Sequence, residues 1–283
     1  LEIMTNKCSI PLYPMKPFDE IITGPMAARI LQVIDDLNFF QPSKIQSQAI
    51  PILNEQKKDL IAQAQSGSGK TVAFLVSMLL HVDPEKHCPQ TICLCHSCVL
   101  IMQTFKVFED MNKYTKFTGA TCINNNADNS EAPDGKAQLL FGTPTSFTYW
   151  IKNGKLDVSQ VNFLVIDEAD AILDRNSTLF PSTKSLLNKL LPQNVQYGFF
   201  SATFKNSIIE FIKKKRSDII TIRLNRNQQR VQTVEHWYTK VATENEAFCA
   251  IFDLVTSVSK GQTYVFTRSK KLVKEIADFL EPK

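Results

Sequence analysis

The 283 residues contain no apolar run near the roughly 18 residues that a membrane-spanning helix needs. They do not open with the charged, apolar and small-residue order of a secretory signal. No long low-complexity segment is present, and no repeat beyond one restart of a strand–helix rhythm, which sets aside repeat arrays and biased-composition chains. The seven cysteines are an odd number without paired spacing, so a disulfide framework is not indicated. They read as reduced thiols of an intracellular chain. His87, Cys88, Cys93, Cys95, His96 and Cys98 crowd together but form no paired C-x₂-C pattern. They read as core and strand thiols in preference to a zinc site. Charge of one sign is also in small excess: a net charge of +4 permits an anionic partner without demanding one. The chain opens at Leu1, not Met, which is expected of a processing or cut boundary.

What is present is ordinary globular composition, 43% hydrophobic and 21% charged, enough for one large domain or two smaller ones. Apolar runs suited to buried strands occur at 59–63, 91–95, 138–141, 162–166 and 197–201. Helix-like stretches at 71–81, 98–111, 144–152 and 182–191 lie between them. This alternation predicts an α/β fold with a parallel sheet covered by helices on both faces. A polar stretch at 223–232 reads as a linker, closing a domain of residues 1–222. The rhythm then restarts: a strand at 234–240, a helix at 244–257, a strand at 263–267 and a helix at 269–280. This second unit, 233–283, is short for an α/β core.

The stretch "AQAQSGSGKT", Ala62–Thr71, lies between a strand and a helix. Gly67 and Gly69 allow a tight turn whose amide N–H groups, with those of Ser66 and Ser68, can point at a phosphate. The following helix adds its positive dipole end. Lys70 is expected to reach the β- and γ-phosphates, and the Thr71 hydroxyl to ligate Mg²⁺. Ala64 stands where the strict pattern has its first glycine, so an ordinary turn opening a helix remains an alternative.

"VNFLVIDEAD", Val161–Asp170, runs as a buried strand and ends in three carboxylates. Ligands of parallel sheets bind at the carboxyl ends of strands. Asp167 is therefore expected to hold Mg²⁺, partly through water, and Glu168 to orient or deprotonate an attacking water. Helix capping is the competing reading for an acidic strand end. The pairing with a phosphate loop favours catalysis.

Asp167-Glu168-Ala169-Asp170 spells DEAD, and the chain resembles the DEAD-box RNA helicases. "FFQPSKIQ" (39–46), "GTP" (142–144), "SAT" (201–203) and "YVFTRSKK" (264–271) match further motifs of that family in order. The resemblance implies two RecA-like domains, the second only begun here. It implies ATP and Mg²⁺ as cofactors and single-stranded RNA or a short RNA duplex as substrate. It assigns the adenine edge to Gln46 and base stacking to Phe18. It assigns coupling of the nucleotide site to domain closure to Asp170, Ser201, Ala202 and Thr203. RNA contacts fall to Gly142, Thr143, Pro144, Thr267 and Arg268. Within the family, "SKIQSQAIP", "IAQAQSGSGKTVAF" and "FFSATF" look most like the mRNA-export helicase of the nuclear pore, with the translation-initiation helicase as competitor. That implies export or nuclear-pore factors as partners, a cytoplasmic or nuclear location, no membrane, and a monomer.

The sequence departs from the family pattern in its RNA motifs. His96-Ser97-Cys98-Val99-Leu100-Ile101 stands where the family has Pro-Thr-Arg-Glu-Leu-Ala, or Pro-Thr-Tyr-Glu-Leu-Ala in the export branch. Thr145-Ser146 stands where it has Gly-Arg. Weaker RNA binding than that of a typical family member is expected, and a nucleotide-binding scaffold of helicase ancestry is the alternative function. The chain also stops at Lys283, before the family's arginine-rich motif, so poor hydrolysis is expected of these residues alone. "KKKR" (213–216) reads as a solvated helix end, a targeting signal or an RNA patch. His81, His87 and His236 show no partner pattern.

Overall fold

A computed structural model describes residues 2–4, 15–123, 133, 135–223, 237–258 and 261–281. These fall into two compact units, Leu1–Arg230 and Val231–Lys283.

The first unit is built on one eight-stranded sheet. Its strands are β1 Glu2–Met4, β2 Leu60–Gln63, β3 Thr91–Leu94, β4 Gly119–Cys122, β5 Leu139–Gly142, β6 Phe163–Ile166, β7 Gln196–Ser201 and β8 Ile220–Arg223. Their spatial order is β1-β8-β2-β7-β6-β3-β5-β4. β1 is antiparallel to β8, and the remaining pairings are parallel. The motif-bearing strands β2, β7 and β6 are therefore adjacent, and their carboxyl ends share one edge.

The side-chain period of two divides the core between the two faces of this sheet. Leu60, Ala62, Cys93, Phe141, Phe163, Val165 and Phe200 belong to one buried cluster. Ile61, Ile92, Leu94, Leu164, Ile166 and Phe199 belong to the other. Helices α1 Phe18–Ile21, α2 Ala27–Asp36, α3 Lys44–Asn54, α4 Lys70–Leu80 and α5 Cys98–Met111 supply the first face. Helices α6 Pro144–Lys152, α7 Ala169–Leu173 and α9 Asn206–Lys215 supply the second, and α8 Phe180–Ser185 packs on α6 and α7. β2, β3, β5 and β6 are buried along their whole length, so their sequences lack polar alternation.

Local chemistry sets several helix starts. Ser97 caps α5 by accepting from the Leu100 amide, and Thr143 caps α6 by accepting from Ser146, with Pro144 at the first helical position. Ser43 and Gln46 form a reciprocal capping box on α3. A node at the opposite sheet edge ties the elements together. Gln196, at the start of β7, donates to the carbonyls of Leu53 and Lys58, both 2.9 Å. Its oxygen lies 3.1 Å from His81 Nε2 at the end of α4, and the His81 ring stacks on Phe163 of β6 at 4.3 Å. His81 thus has partners that its sequence neighbourhood did not reveal.

The strand expected at 162–166 begins one residue later, and the helix at 182–191 becomes α8 followed by a π-helical turn at Leu186–Leu190. β4 and β8 escaped the sequence reading: GATC is only half-buried, and ITIR abuts the polar stretch that follows it. Arg223, expected to open a linker, is the last residue of β8. Residues 224–232 lie outside the described residues.

In the second unit, helices cover Glu244–Asp253 and Lys270–Leu280, joined to a π-helical turn at Leu254–Val258. The strand expected at 263–267 is not formed: these residues are irregular, with Tyr264 70% and Phe266 93% exposed. A strand needs a paired neighbouring strand, and no strand among the described residues pairs with this run. Of the strand expected at 234–240, residues 234–236 lie outside the described residues and 237–240 are irregular. Among the described residues, no helix is long and apolar enough to cross a membrane.

Candidate functional site

The loop between β2 and α4 has the backbone that a phosphate cradle requires. Gly67 and Gly69 have φ of +75° and +91°, conformations open to glycine at little cost. A Cβ on Gly69 would sit 2.5 Å from Gln46 Nε2. That close approach joins α3 to the loop: Gln46 Nε2 donates to the Gly69 carbonyl at 3.2 Å, and Gln46 Oε1 accepts from the Ser43 amide at 2.7 Å. An amide side chain has two N–H donors and two acceptor lone pairs, so one of each remains for a purine edge. Ser66 and Gly67 are exposed at the tip, and Ser68 donates its hydroxyl to the Gln65 carbonyl at 2.7 Å.

Lys70 is only 7% exposed and donates Nζ to the carbonyls of Ala64 and Gln65 at 2.8 and 2.9 Å. Burial lowers its pKa, opposed by the carboxylates of Glu168, Asp167 and Asp170. The ammonium is held over the loop with a third donor to offer. Thr71, half-buried, follows it at the start of α4.

Asp167 is the first residue beyond β6. Its amide donates to Leu94 at the end of β3, 2.9 Å away, and its carboxylate accepts the Glu168 amide at 3.0 Å. The side chain is 7% exposed. Burial, reinforced by Glu168, pushes its pKa up to about 6. Among the described residues no lysine or arginine pairs with it directly. A buried carboxylate without a basic partner fits a hard cation. Mg²⁺ takes one or two carboxylates, with water and phosphate filling the rest. Among the described residues no group of three or more His, Cys, Asp or Glu side chains could hold a metal ion by itself. Glu168 has φ +47° and ψ +51°, a left-handed conformation for a non-glycine residue, which costs about 1–2 kcal/mol. This turn separates Glu168 from the strand direction and starts α7.

Asp170 accepts from Ser201 Oγ at 2.7 Å and Thr203 Oγ1 at 2.5 Å. On the other side of that segment, Gln63 of β2 donates to the Ala202 carbonyl at 3.3 Å, and the Ala64 amide donates to the Ser201 carbonyl at 3.1 Å. Ser201–Thr203 is thus clasped between the phosphate-loop strand and the acidic helix. Gln63 and Ser43 are site residues that the sequence reading missed. Gln63 lies inside a buried strand, and only its pairing with β7 brings it to Ala202.

Phe18, expected to stack on a base, is 6% exposed and part of the core. It presents no open ring to solvent. Gly142 ends β5, where a Cβ would meet the Cys122 carbonyl at 2.5 Å, so close strand packing excludes a side chain. Thr143 Oγ1 is engaged with Ser146 Oγ at 2.9 Å, and Ser146 is 3% exposed. The position matching the family's arginine is therefore a buried serine in the first turn of α6, bonded to the capping Thr143. Val99, at the position matching its glutamate, is 66% exposed. In the second unit Arg268 pairs with Glu244 at 2.7 Å, and Thr267 Oγ1 donates to Ser269 O at 2.9 Å.

A glycine-bearing loop and a buried lysine after β2, and carboxylates after β6, on parallel strands separated only by β7, define a P-loop nucleotide-binding fold. The family model for DEAD/DEAH box helicases matches residues 43–211, and the chain belongs to that family. It is 32% identical to the human ATP-dependent RNA helicase DDX19A over 98% of this chain and 57% of the human one. It is similar in structure to S. cerevisiae Dbp5 bound to RNA and ADP BeF3, with a TM-score of 0.83 and 31% identity over 94% of this chain and 66% of that one. Dbp5 L327V bound to nup159, gle1 h337r, ip6 and adp gives a TM-score of 0.65 at 30% identity, over 89% of this chain and 66% of that one. The α/β sheet is thus RecA-like, and the chain spans little more than half the length of the human relative.

Proposed function

We propose that this chain is the nucleotide-binding part of an ATP-dependent RNA helicase of DDX19/Dbp5 type, remodelling RNA or RNA–protein complexes in mRNA export. The observation that carries the reading is the clasp of Ser201–Thr203 between Asp170 and the β2 strand. Any shift of the phosphate loop or the acidic turn on nucleotide binding reaches that segment through direct hydrogen bonds. Lys70 and the loop amides bind the phosphates, Gln46 reads the adenine edge, and Thr71 and Asp167 would hold Mg²⁺. The cation would neutralise charge on the phosphates. Glu168 orients the attacking water and takes its proton. Residues 224–232 link this domain to a second RecA-like one. Gly142, Thr143, Pro144, Thr267 and Arg268 lie on the RNA path. Nuclear-pore and export factors are the partner class, by likeness to Dbp5, and the protein acts as a monomer at the nuclear pore.

The exposed Val99 and the buried Ser146 favour a second reading, a nucleotide-responsive scaffold with little RNA remodelling. Mg–ATP binding and turnover, measured with and without single-stranded RNA at stated salt, separate the two. RNA-stimulated turnover supports the helicase. Nucleotide binding indifferent to RNA supports the scaffold. Unchanged Mg–ATP affinity in Lys70→Ala would overturn both.

A further inference from the structure

The KKKR run is not spent on a solvated helix end alone. Its last two residues, Lys215 and Arg216, line a cavity of about 290 Å³ on the sheet face opposite α3 and α4. Tyr197 and Phe199 of β7, Phe211 of α9, Leu187 of the π-helical turn and Leu191 just after it supply its apolar wall. Arg216 lies 4.4 Å over the Tyr197 ring, and Lys215 Nζ lies 5.5 Å over Phe211. Arg216 is already engaged: it pairs with Asp59 at 3.5 Å and donates to the Val195 carbonyl at 2.8 Å. Lys215 has no such carboxylate among the described residues. Its side chain is exposed at the rim, and partial desolvation, then Lys184 and Arg216, lower its pKa. An aromatic-walled cavity with a cation lacking a counter-charge at its rim is complementary to one kind of molecule.

We propose that this cavity binds a small organic monoanion, a carboxylate on a flat apolar body, with the ring against Phe211 and Phe199 and the carboxylate on Lys215. The pocket uses no residue of the nucleotide site, so the inference stands apart from the function proposed above.

The test is isothermal titration of the 283-residue chain with 2-naphthoate and with its neutral isostere 2-naphthamide. One saturable site is expected, with the acid bound about tenfold more tightly than the amide, as one charge-assisted contact provides. Lys215→Gln should bring the acid to the amide's affinity. Asn188→Trp, a change at an exposed rim position, should block both ligands. Mg–ATP binding by each variant, unchanged, shows that they remain folded. Equal affinity for acid and amide, binding untouched by either substitution, or no saturable binding would each overturn the proposal.

Discussion

Asp170 receives both hydroxyls of the Ser201–Thr203 segment, from Ser201 at 2.7 Å and from Thr203 at 2.5 Å. A carboxylate that accepts two hydroxyls from one short segment fixes that segment's orientation, whereas one bond would leave it a pivot. Asp170→Ala should lower folding stability by about 1–3 kcal/mol. A denaturant double-mutant cycle with Ser201→Ala should show coupling of about 1 kcal/mol. Mg–ATP affinity should change little, while RNA-stimulated turnover falls at least about tenfold. Additive effects in the cycle would rule out the clasp.

Asp167 is held in a state that favours its proton. Its folded pKa, about 6, lies above the ordinary carboxylate value, chiefly through burial. The folded state therefore binds this proton more tightly than the unfolded chain. Stability contributed by that proton is present at about pH 4 and lost as pH rises toward 6. Asp167→Asn should remove this dependence and stabilise the nucleotide-free protein at pH 7 by on the order of 3 kcal/mol, while weakening Mg–ATP binding. Thermal melts at pH 4, 5, 6 and 7 check the sign, and a variant no more stable than the parent at pH 7 contradicts it.

Gly69 is required twice over, by its φ of +91° and by the 2.5 Å approach of Gln46 to its Cβ direction. Gly69→Ala should cost about 1–2 kcal/mol of backbone strain and displace the Gln46 amide. ATP affinity should drop more than about tenfold, and discrimination between ATP and GTP should narrow. Gly135→Ala, where nothing lies within 4 Å, is the control.

Thr145 is exposed in the first turn of α6, whereas its neighbour Ser146 is buried. A restored cation belongs at the exposed position. RNA binding by the chain with an ATP analogue should show a shallow salt dependence. Thr145→Arg should steepen the slope of log K against log salt by about 0.7, the contribution of one phosphate on a single strand. An unchanged slope would mean that RNA does not pass the start of α6.

How much of this was legible in the chain depends on where each signal resides. The helices at 98–111 and 144–152 were readable to the residue because their caps, Ser97 and Thr143-Pro144, are local chemistry. The glycine turn that opens α4 and the acidic end of β6 were readable as local features, because tight turns and strand ends are set by residue type over a few positions. β4 was not, because GATC is half-buried and gains its strand geometry only from pairing with β5. The expected strand at 263–267 failed for the complementary reason, an apolar run with which no described strand pairs.

By itself, then, the sequence determined the alternation of buried strands and helices, the nucleotide-binding chemistry and the loss of charged RNA motifs, since these are properties of residue type and short-range order. Only the tertiary structure decided that β7 lies between β2 and β6, so that the Ser201–Thr203 segment meets both the phosphate loop and Asp170. It likewise decided that Phe18 is core, that Gln46 is tied to Gly69, and that Lys215 borders a cavity. Those outcomes depend on strand order and burial, which arise from contacts between segments far apart in the chain.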